Sequence, residues 1–422
     1  MKRVALALAL LLVLAVGALG AFVLYRKHQS RNVRGSSSVE FVTSQAGAPK
    51  RTPRELKIVP WPLFGYTVSG NRFANGIRVR PPFRRLWSSG GSTLLEFPPA
   101  IAYGRLYLVN AYGDIVALNA RTGKRAWRFQ THRCAASSPA ISKIRHGTVY
   151  ATLLNRGACA KGKVTTGEVV ALAHNWGQVR WRRRIGPSES SPLVVGRTVY
   201  VGDWRGDVYA LDARTGKVKW RFRTGGRVKG GVIYSAGRVF VGSYDSHVYA
   251  LSAHTGRLIW KAAAQQRLGS RGTFYSTPAV AYGRVYIGST DGKVYSFGAQ
   301  SGKLRWSHGT GGYVYGSPAI WRQLVLVGSY SGRFYAFDAA TGDAKWTFHA
   351  SGPISGSATV IDGIVYFATL KGRTYGLNAA SGKQVWTFPD GKYTPVVADR
   401  NRLYLLGYAK VYAFTPKRAR AR

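Results

Sequence analysis

The feature that most constrains the fold is a short phrase that recurs along the chain. Each copy contains Thr-Gly or Ser-Gly and ends in a tryptophan four residues after the glycine. The copies are ALNARTGKRAW (117–127), ALDARTGKVKW (210–220), ALSAHTGRLIW (250–260), SFGAQSGKLRW (296–306), AFDAATGDAKW (336–346) and GLNAASGKQVW (376–386). A phrase that returns at a fixed spacing indicates one structural unit that has been copied.

The spacing of the tryptophans gives the size of that unit. Trp87 and Trp181 continue the ladder formed by the six copies, and successive gaps are 40, 54, 39, 40, 46, 40 and 40 residues. A period of about 40 residues is typical of a propeller blade made of four short strands.

Each unit reads as four strands, A to D, as residues 277–306 illustrate. The run PAVA is followed by a turn at YGR, RVYIGS by a turn at TDG, and KVYSFGA by a turn at QSG, after which KLRW closes the unit. Alternating apolar and aromatic residues between glycine-containing turns are strand signals, and no segment after residue 60 sustains a helical period. The glycine before strand D supplies the positive φ that a short hairpin loop needs.

Counting the units predicts the architecture. Complete A-to-D units end at each tryptophan of the ladder from Trp127 to Trp386, which gives seven. Residues 394–416 add an A-B-C set without a closing tryptophan, whereas Trp87 has no A-B-C set of its own. We therefore predict an all-β, eight-bladed propeller over residues 58–422, in which the strand around Trp87 completes the last blade and joins the two chain ends.

The tryptophans are predicted to be structural staples between blades. A large ring on the outer strand can bury about 150–250 Å² against the next blade, and its indole N–H can reach a backbone carbonyl there. The set comprises Trp87, Trp127, Trp181, Trp220, Trp260, Trp306, Trp346 and Trp386.

At this point the chain resembles a known family, the quinoprotein or PQQ-like repeat propellers. The resemblance rests on the AxDxxTGKxxW-like phrase, the eight-fold count and the stretch WPLFGYTVSGNRF (61–73), and it covers about residues 58–416. The family includes PQQ-dependent alcohol dehydrogenases and the non-enzymatic BamB-type outer-membrane assembly lipoproteins. The resemblance implies the fold, whereas function must be argued from the site.

The N-terminus carries 22 residues without a charge, from Val4 to Tyr25. A helix of that length spans the roughly 30 Å of a hydrocarbon core, so residues 1–25 are predicted to be a single transmembrane anchor. The alternative is a signal peptide cleaved near Ala18-Leu19-Gly20, which would give a secreted protein. Residues 26–57 are polar and basic and are predicted to form a flexible stalk. No lipobox-type cysteine follows the apolar run, so the chain departs from the BamB-type lipoproteins.

The two cysteines bear on the compartment, because basic residues lie on both sides of the apolar run and do not decide its orientation. Cys134 falls in the connection that enters the second blade, and Cys159 falls in the B-to-C turn of that blade. These connections emerge on one face of an up-and-down blade, so a disulfide is predicted, with two unpaired thiols as the alternative. A disulfide favours the extracytoplasmic side of the cell membrane.

The charge is strongly positive, with 62 Lys and Arg against 16 Asp and Glu and a formal net charge of +46. Such a field attracts polyanions. Outside the cytosol these would be lipid headgroups or other anionic envelope polymers, although a solvated arginine-rich surface explains the composition equally well. Nucleic acid is not expected, since no nucleic-acid-binding motif accompanies the charge. We expect a monomer.

Motifs for chemistry are missing from the sequence. In the resembled dehydrogenases, PQQ is accompanied by a calcium ion on carboxylate and amide ligands, a catalytic aspartate and commonly a Cys-Cys pair. This chain has no Cys-Cys dipeptide, HExxH, GxSxG or GxxxxGK[ST] motif, and many of its 16 acidic residues lie in or beside hairpin turns. We predict no catalytic residue, no metal and no cofactor, with a PQQ- and calcium-dependent dehydrogenase as the alternative.

A candidate binding rim is predicted at the channel mouth. The residue before the start of each strand A should face the central funnel, and this rule selects Glu96, Ala136, Glu189, Lys229, Tyr275, Tyr315, Ser355 and Lys392. The polar members, Glu96, Glu189, Lys229, Tyr275, Tyr315 and Lys392, are the predicted binding residues. The predicted function is a non-catalytic binding or scaffolding module for a protein or an anionic envelope polymer. A sensor ectodomain that acts through a partner is a further alternative.

Overall fold

The computed structural model describes residues 2–43, 52–155, 159, 162–269, 271–393 and 396–417. Two helices precede the sheets: α1 (Lys2–Gln29) and α2 (Pro53–Ile58). Two strands then follow before the repeats begin: β1 (Phe73–Ala74) and β2 (Phe83–Gly90). The strands from β2 onward form eight four-stranded blades around a central axis, so the predicted eight-bladed propeller is confirmed. Strand β1 pairs in parallel with the first strand of blade 7.

The strands of the blades follow chain order. Blades 1 and 2 comprise β3 (Ala100–Ala102), β4 (Arg105–Val109), β5 (Ile115–Asn119), β6 (Arg125–Phe129), β7 (Ala140–Ser142), β8 (Thr148–Leu154), β9 (Gly167–Ala173) and β10 (Val179–Ile185). Blades 3 and 4 comprise β11 (Leu193–Val195), β12 (Thr198–Gly202), β13 (Asp207–Asp212), β14 (Val218–Arg223), β15 (Ile233–Ser235), β16 (Arg238–Gly242), β17 (His247–Ser252) and β18 (Leu258–Ala263). Blades 5 and 6 comprise β19 (Ala279–Ala281), β20 (Arg284–Gly288), β21 (Lys293–Gly298), β22 (Leu304–Gly309), β23 (Ala319–Trp321), β24 (Leu324–Gly328), β25 (Arg333–Asp338) and β26 (Ala344–His349). Blades 7 and 8 comprise β27 (Thr359–Ile361), β28 (Ile364–Thr369), β29 (Arg373–Asn378), β30 (Gln384–Phe388), β31 (Val397–Ala398), β32 (Leu403–Leu406) and β33 (Lys410–Pro416).

Both chain ends share blade 8, as predicted. Strand β2 pairs antiparallel with β33 and places Trp87 opposite Ala413. The sheet order is β2-β33-β32-β31, so the fourth strand of the last blade comes from the N-terminal side of the chain. This junction gives blade 8 its fourth strand and joins the two ends of the propeller within one sheet.

The core lies between neighbouring blades. Inner strands such as β20 and β28 are buried along their whole length, whereas outer strands such as β14 and β26 expose most of their side chains. Each apolar cluster combines side chains from adjacent blades. A blade alone therefore leaves both apolar faces uncovered, and the ring of copies supplies the missing cover.

Six of the tryptophans staple consecutive blades by a hydrogen bond. Their indole N–H groups donate to a backbone carbonyl of the next blade at 2.9–3.2 Å: Trp127 to His174, Trp181 to Ala213, Trp220 to Ala253, Trp260 to Ala299, Trp306 to Ala339 and Trp346 to Ala379. At the closing junction the Trp87 indole nitrogen is buried without an acceptor in the described part of the chain. There the Tyr404 hydroxyl donates to the Ala120 carbonyl at 3.1 Å.

Trp386 departs from the staple pattern because blade 8 takes its outer strand from the other chain end. No phrase with a Thr-Gly or Ser-Gly turn follows blade 7, and Trp386 packs instead on Phe83 and Phe414, with ring centroids 5.5 and 5.8 Å away. The Cys134–Cys159 disulfide is confirmed, with a Cα–Cα distance of 5.7 Å.

The segment that follows α1 lies against the propeller. Residues 30–42, which we call the strap, run along the outer edge of blade 5, where Val33 pairs with Ser307. The prediction of a flexible stalk over residues 26–57 did not include these contacts, because they join residues more than 200 positions apart. Residues 44–51 of the predicted stalk lie outside the described part. Helix α1 is long and apolar enough to cross a membrane, with a mean hydropathy of 2.6 in its most apolar stretch.

Candidate functional site

The central channel is closed from one side by the segment before the first blade. Residues 59–74, which we call the plug, enter the ring and donate or accept backbone hydrogen bonds with the innermost strands. Carbonyls of the plug accept from blades 1, 2, 4, 5, 6 and 7, through the amides of Ile101, Ile141, Tyr234, Val280, Ile320 and Val360. The plug thus ties six of the eight blades to one continuous peptide.

A buried arginine stabilises the turn of the plug. The Arg72 guanidinium lies 3.9 Å from the centroid of the Phe64 ring and donates from Nη1 to the Phe64 carbonyl at 3.0 Å. Arg72 is fully buried, and its Nε and Nη2 have no acceptor among the described residues. Burial lowers the pKa of Arg72 to about 9. The cation–π contact and the carbonyl hold Phe64 in place at the centre of the ring.

Above the plug, a funnel opens on the face where the A strands start. Phe64 forms its floor, and its wall consists of residues at or just before the start of strand A in every blade except blade 2. The enclosed part is small, about 60 Å³, compared with about 300–1,000 Å³ for typical small-molecule pockets. The funnel is therefore a shallow depression surrounded by a rim, and it is smaller than a typical small-molecule pocket.

The small polar residues of the repeated SSPA, STPA and GSPA starts hold this wall together. A hydroxyl of one blade accepts the backbone N–H of its neighbour: Ser138 donates to Ser191 at 3.0 Å, Thr277 to Ser317 at 3.0 Å and Ser317 to Ser357 at 2.9 Å. These hydrogen bonds satisfy amides that no strand partner reaches. The funnel wall is thus a rigid ring on which the larger rim side chains stand.

The charged centre of the rim is an ion pair between Lys229 and Glu189. The Lys229 Nζ lies 3.2 Å from the Glu189 Oε2, and both side chains are mostly buried. The same ammonium lies 4.4 Å from the centroid of the Trp204 ring, with Tyr244 and Tyr275 at 5.7 and 5.8 Å. Three aromatic rings and one carboxylate therefore surround a single cation.

A second carboxylate, Glu96, lies beside this pair. Burial and the charge of Glu189 raise the pKa of Glu96, and Lys229 lowers it, so that the pKa is about 7. Burial also raises the pKa of Glu189, against the lowering effect of Lys229. Two carboxylates in one poorly solvated site disfavour each other's charge, so near pH 7 the cluster readily holds an extra proton.

Tyrosines continue the rim from the charged centre towards blade 6. The ring centroids of Tyr275 and Tyr315 are 5.4 Å apart, and Tyr330 lies 5.2 Å from Tyr315. Tyr313 completes the group at 5.7 Å from Tyr315 and is half exposed. The result is a continuous aromatic ledge over blades 4 to 6.

The structure thus brings five predicted residues together around the funnel: Glu96, Glu189, Lys229, Tyr275 and Tyr315. Lys392 stands apart from the Glu189–Lys229 pair, between the rings of Tyr393 and Tyr408, at 5.5 and 5.3 Å. Ser355 lines the funnel, whereas Ala136 does not. The role of these residues in binding stays a prediction.

Sequence reasoning missed Phe64 and the aromatic residues Trp204, Tyr244 and Tyr330. The last three occupy equivalent places, two residues after the glycine that ends strand B. That recurring aromatic position in the B-to-C turn was a usable signal. Phe64 had no such signal, because the plug contains no copy of the repeated phrase.

The funnel residues do not form the ligand set that calcium requires. A calcium site takes six to eight oxygen ligands, several of them carboxylates, at one point. Within the described residues, no group of three or more His, Cys, Asp or Glu could hold a metal ion. The Glu189 carboxylate already has a cationic partner, because the Lys229 Nζ lies 3.2 Å from its Oε2.

Comparisons with known proteins agree with the fold. A search among curated proteins returned no significant match. Among solved structures, the chain is similar to BamB from Moraxella catarrhalis, at 19% identity and a TM-score of 0.65, over 81% of this chain and 100% of that chain. It is also similar to the quinohemoprotein alcohol dehydrogenase from Comamonas testosteroni, at 15% identity and a TM-score of 0.70, over 86% and 81% of the two chains. A europium-containing methanol dehydrogenase gives 12% identity and a TM-score of 0.65, over 85% and 98%.

These identities show the fold alone, and the fold is shared by BamB and by dehydrogenases. The family model described as "Outer membrane protein assembly factor BamB" matches residues 84–185, 165–388 and 310–421. These matches extend over nearly the whole propeller. The chain therefore belongs to this family of PQQ-like repeat propellers.

Proposed function

We propose that this protein is a membrane-anchored, extracytoplasmic binding module that works without catalysis and holds a segment of a partner protein on its funnel rim. The observation that carries the proposal is the aromatic ledge of Tyr275, Tyr315 and Tyr330 beside the Lys229–Glu189 pair, above a floor closed by Phe64. Aromatic side chains with a polar edge are the residues that protein interfaces favour.

The shape of the funnel supports a protein segment over a small molecule. The enclosed space of about 60 Å³ admits a side chain or a few waters, whereas the surrounding ledge offers exposed ring area for a peptide or a loop. Two carboxylates near the floor disfavour a polyanion in the funnel itself. An anionic polymer fits the outer surface, with its many cations, better than this site.

The proposal includes membrane anchoring by α1 and an extracytoplasmic location of the propeller. Helix α1 has the length and the apolar composition of a membrane span, and a disulfide persists in an oxidising compartment. We take α1 as retained, with the propeller outside the cytoplasm. Release of a secreted form after cleavage would contradict this part.

Site-specific crosslinking tests the binding site. A photoreactive phenylalanine analogue is placed at Tyr313, which is half exposed on the ledge, and at Trp176, an exposed aromatic residue in a C-to-D turn. We expect a discrete partner adduct in the native host from position 313 and none from position 176. The adduct should weaken when Tyr315→Ala is added. Equal labelling from both positions would contradict the funnel as the binding site.

Cofactor binding tests the catalytic alternative. The full-length protein is incubated with PQQ and calcium, and cofactor absorbance and dye reduction by alcohols are followed. We expect neither stoichiometric binding nor turnover, because the carboxylate beside the funnel floor is paired with Lys229. Stoichiometric cofactor binding with turnover would replace the proposed function by the dehydrogenase.

A further inference from the structure

The strap runs from one face of the propeller to the other. We call the face with the D-to-A connections and the B-to-C turns the funnel face, because the funnel opens there. The face with the A-to-B and C-to-D turns is the closed face, from which the plug enters the ring.

The start of the strap lies at the funnel face. The Lys293 Nζ, at the beginning of β21, donates to the carbonyls of Ser30 and Arg31, the latter at 3.0 Å. The Gly309 amide, at the end of β22, donates to the Asn32 Oδ1 at 2.9 Å. Both strand ends border the funnel face.

The end of the strap lies at the closed face. Glu40 accepts hydrogen bonds from the Ser301 amide at 3.0 Å and the Ser301 hydroxyl at 2.7 Å, in the C-to-D turn of blade 5. Buried Arg284 donates to the Glu40 carbonyl at 2.7 Å. Phe41 stacks on Tyr282 in the A-to-B turn, with ring centroids 5.4 Å apart. The direction of the strap is therefore fixed at both ends.

Helix α1 consequently leaves the propeller at the funnel face. It ends at Gln29, one residue before the contact of Ser30. Its described side chains are exposed up to Tyr25 and do not pack on the blades. Together with the proposed role of α1 as a retained membrane anchor, on which this step rests, the strap places the bilayer on the funnel side of the ring.

We infer that the funnel face is turned towards the membrane that α1 enters, and that its loops contact anionic phospholipid headgroups. The partner segment held by the rim would then come from the membrane side. The closed face, sealed by the plug, points away from the bilayer.

The exposed side chains of the funnel face suit a bilayer surface. Four large apolar or aromatic residues project from its loops: Tyr112, Leu268, Tyr313 and Tyr408, with exposed fractions of 60, 47, 52 and 52%. Tyrosine is enriched where an apolar ring meets a wet headgroup layer. They come from turns of blades 1 and 8 and from the connections that lead into blades 5 and 6, so they stand on both sides of the funnel.

Exposed cations lie near these residues, whereas three carboxylates of the funnel face accept hydrogen bonds from tyrosines. Exposed cations on the funnel face include Lys163, Arg205, Arg227, Arg267, Lys371 and Lys410. Asp245, Asp291 and Asp390 each accept a hydrogen bond from the hydroxyl of a tyrosine on a neighbouring C strand. Lysine and arginine near a surface attract anionic lipid. The closed face also carries cations, so the strap, and not the charge, selects the face.

The junction of α1 with blade 5 offers a defined place for a headgroup. A space of about 310 Å³ lies there between the end of the helix and the connection to β19. Its charged lining consists of three cations, Lys27, Arg267 and Lys293, and one carboxylate, Asp291. Phosphate groups at the bilayer surface would lie beside these cations.

Energy transfer from matched positions to the bilayer tests this orientation. Lys371 and Lys383 are both exposed lysines in turns of blade 7, but Lys371 lies on the funnel face and Lys383 on the closed face. The two native cysteines are bonded to each other, so Lys371→Cys and Lys383→Cys each provide one thiol for a fluorescent donor. The full-length variants are reconstituted into phosphatidylcholine vesicles containing phosphatidylglycerol and an acceptor-labelled lipid.

We expect higher transfer from position 371 than from position 383. Arg34 of the strap pairs with Asp343 of blade 6 at 2.9 Å, so Glu40→Ala and Arg34→Ala together should release the strap and abolish the difference. The charge reversals Arg267→Glu, Lys371→Glu and Lys410→Glu should together reduce transfer from a donor at Tyr313→Cys. The matched closed-face reversals Arg214→Glu, Arg257→Glu and Lys383→Glu should not.

The outcomes separate the two proposals. Vesicle flotation reports the anchor independently: protein that fails to float contradicts the proposed membrane attachment. Protein that floats but gives equal transfer from both positions, or more from position 383, overturns the orientation while leaving the anchor in place. Transfer that does not change when phosphatidylglycerol is omitted would overturn the contact with anionic headgroups.

Discussion

Gly256 lies directly against the indole ring of Trp220, across the junction between blades 3 and 4. A Cβ placed on Gly256 would come within 2.7 Å of the indole Cδ2, and the glycine has a φ of +74°. The same contact recurs at six of the other seven junctions, from Trp87 with Gly123 to Trp346 with Gly382. The glycine of the repeated phrase therefore turns its own hairpin and also admits the tryptophan of the preceding blade.

The first prediction separates these two roles of the glycine. Gly256→Ala is expected to lower the free energy of unfolding by both the strained φ and the clash with the indole ring. Gly237→Ala is the control, because Gly237 in the same blade has a φ of +76° and no atom within 4 Å of an added Cβ. The clash should cost about 1–3 kcal/mol beyond the control, as overpacked cores do. Urea unfolding followed by tryptophan fluorescence measures the difference, and equal midpoints would show that the ring contact is unimportant.

The second prediction concerns the indole hydrogen bond. Trp220→Phe removes the donor to the Ala253 carbonyl, which lies 3.0 Å away. Trp87→Phe is the matched control, because the Trp87 N–H is buried without an acceptor among the described residues. Both changes remove similar ring area, so Trp220→Phe should cost about 1 kcal/mol more, the net value of one hydrogen bond. Thermal unfolding of the two variants side by side measures the two losses of stability. A loss for Trp87→Phe that equals or exceeds the loss for Trp220→Phe would contradict the prediction.

The blades could be predicted from the sequence because each copy carries the same local information. Glycine at the hairpin and tryptophan on strand D act between neighbouring blades, so the repeat itself gives the count and the closure through Trp87. The positions of Glu96 and Lys229 on the rim followed from the same register, since the start of strand A is fixed in every blade.

The plug and the strap could not be predicted, because neither contains a copy of the phrase. The plug contacts the blades through backbone hydrogen bonds, so its side chains carry little sequence signal for this position. Arg72 is not distinguishable in the sequence from the rest of the 62 Lys and Arg residues. The pairing of Glu40 with Arg305, 265 residues away, depends on blade 5 having already formed. The three aromatic rings and the carboxylate around Lys229 likewise come from turns and connections of blades 3 to 5, which are distant in sequence.

The third prediction tests the strap directly. Glu40→Ala removes the acceptor of the Ser301 amide and hydroxyl and of the Arg305 guanidinium. The amides of Val33 and Val42, which donate to the Ser307 and Tyr282 carbonyls, should then exchange with solvent about ten times faster or more, which corresponds to a loss of about 1.4 kcal/mol. Hydrogen exchange with mass spectrometry reads this out. Peptides from β28 serve as the internal control and should not change.

A pH dependence of the strap follows from the same residue. Hydrogen bonds from Ser301 and Arg305 outweigh the effect of burial and lower the pKa of Glu40. Its contribution is therefore present above its ordinary pKa of about 4.5 and is lost as the pH falls through the lower value of the folded state. Exchange at Val42 in the wild type should rise in that acidic range, after correction for the intrinsic exchange rate, and should not do so in Glu40→Ala.

The last prediction concerns the carboxylate beside the Lys229–Glu189 pair. Burial raises the pKa of Glu96 from 4.5 to about 7, so between these values the folded protein binds a proton that the unfolded chain releases. Stability contributed by neutral Glu96 is complete below about pH 4.5 and declines as the pH rises to about 7, by at most about 3 kcal/mol.

Glu96→Gln should remove this decline, whereas Lys229→Met should shift it to higher pH by removing the cation that lowers the pKa of Glu96. Unfolding midpoints between pH 4.5 and 8 measure the slope. Glu40→Gln is the control, because its effect lies at more acidic pH, and a Glu96→Gln variant that keeps the wild-type slope would show that another group titrates in this range.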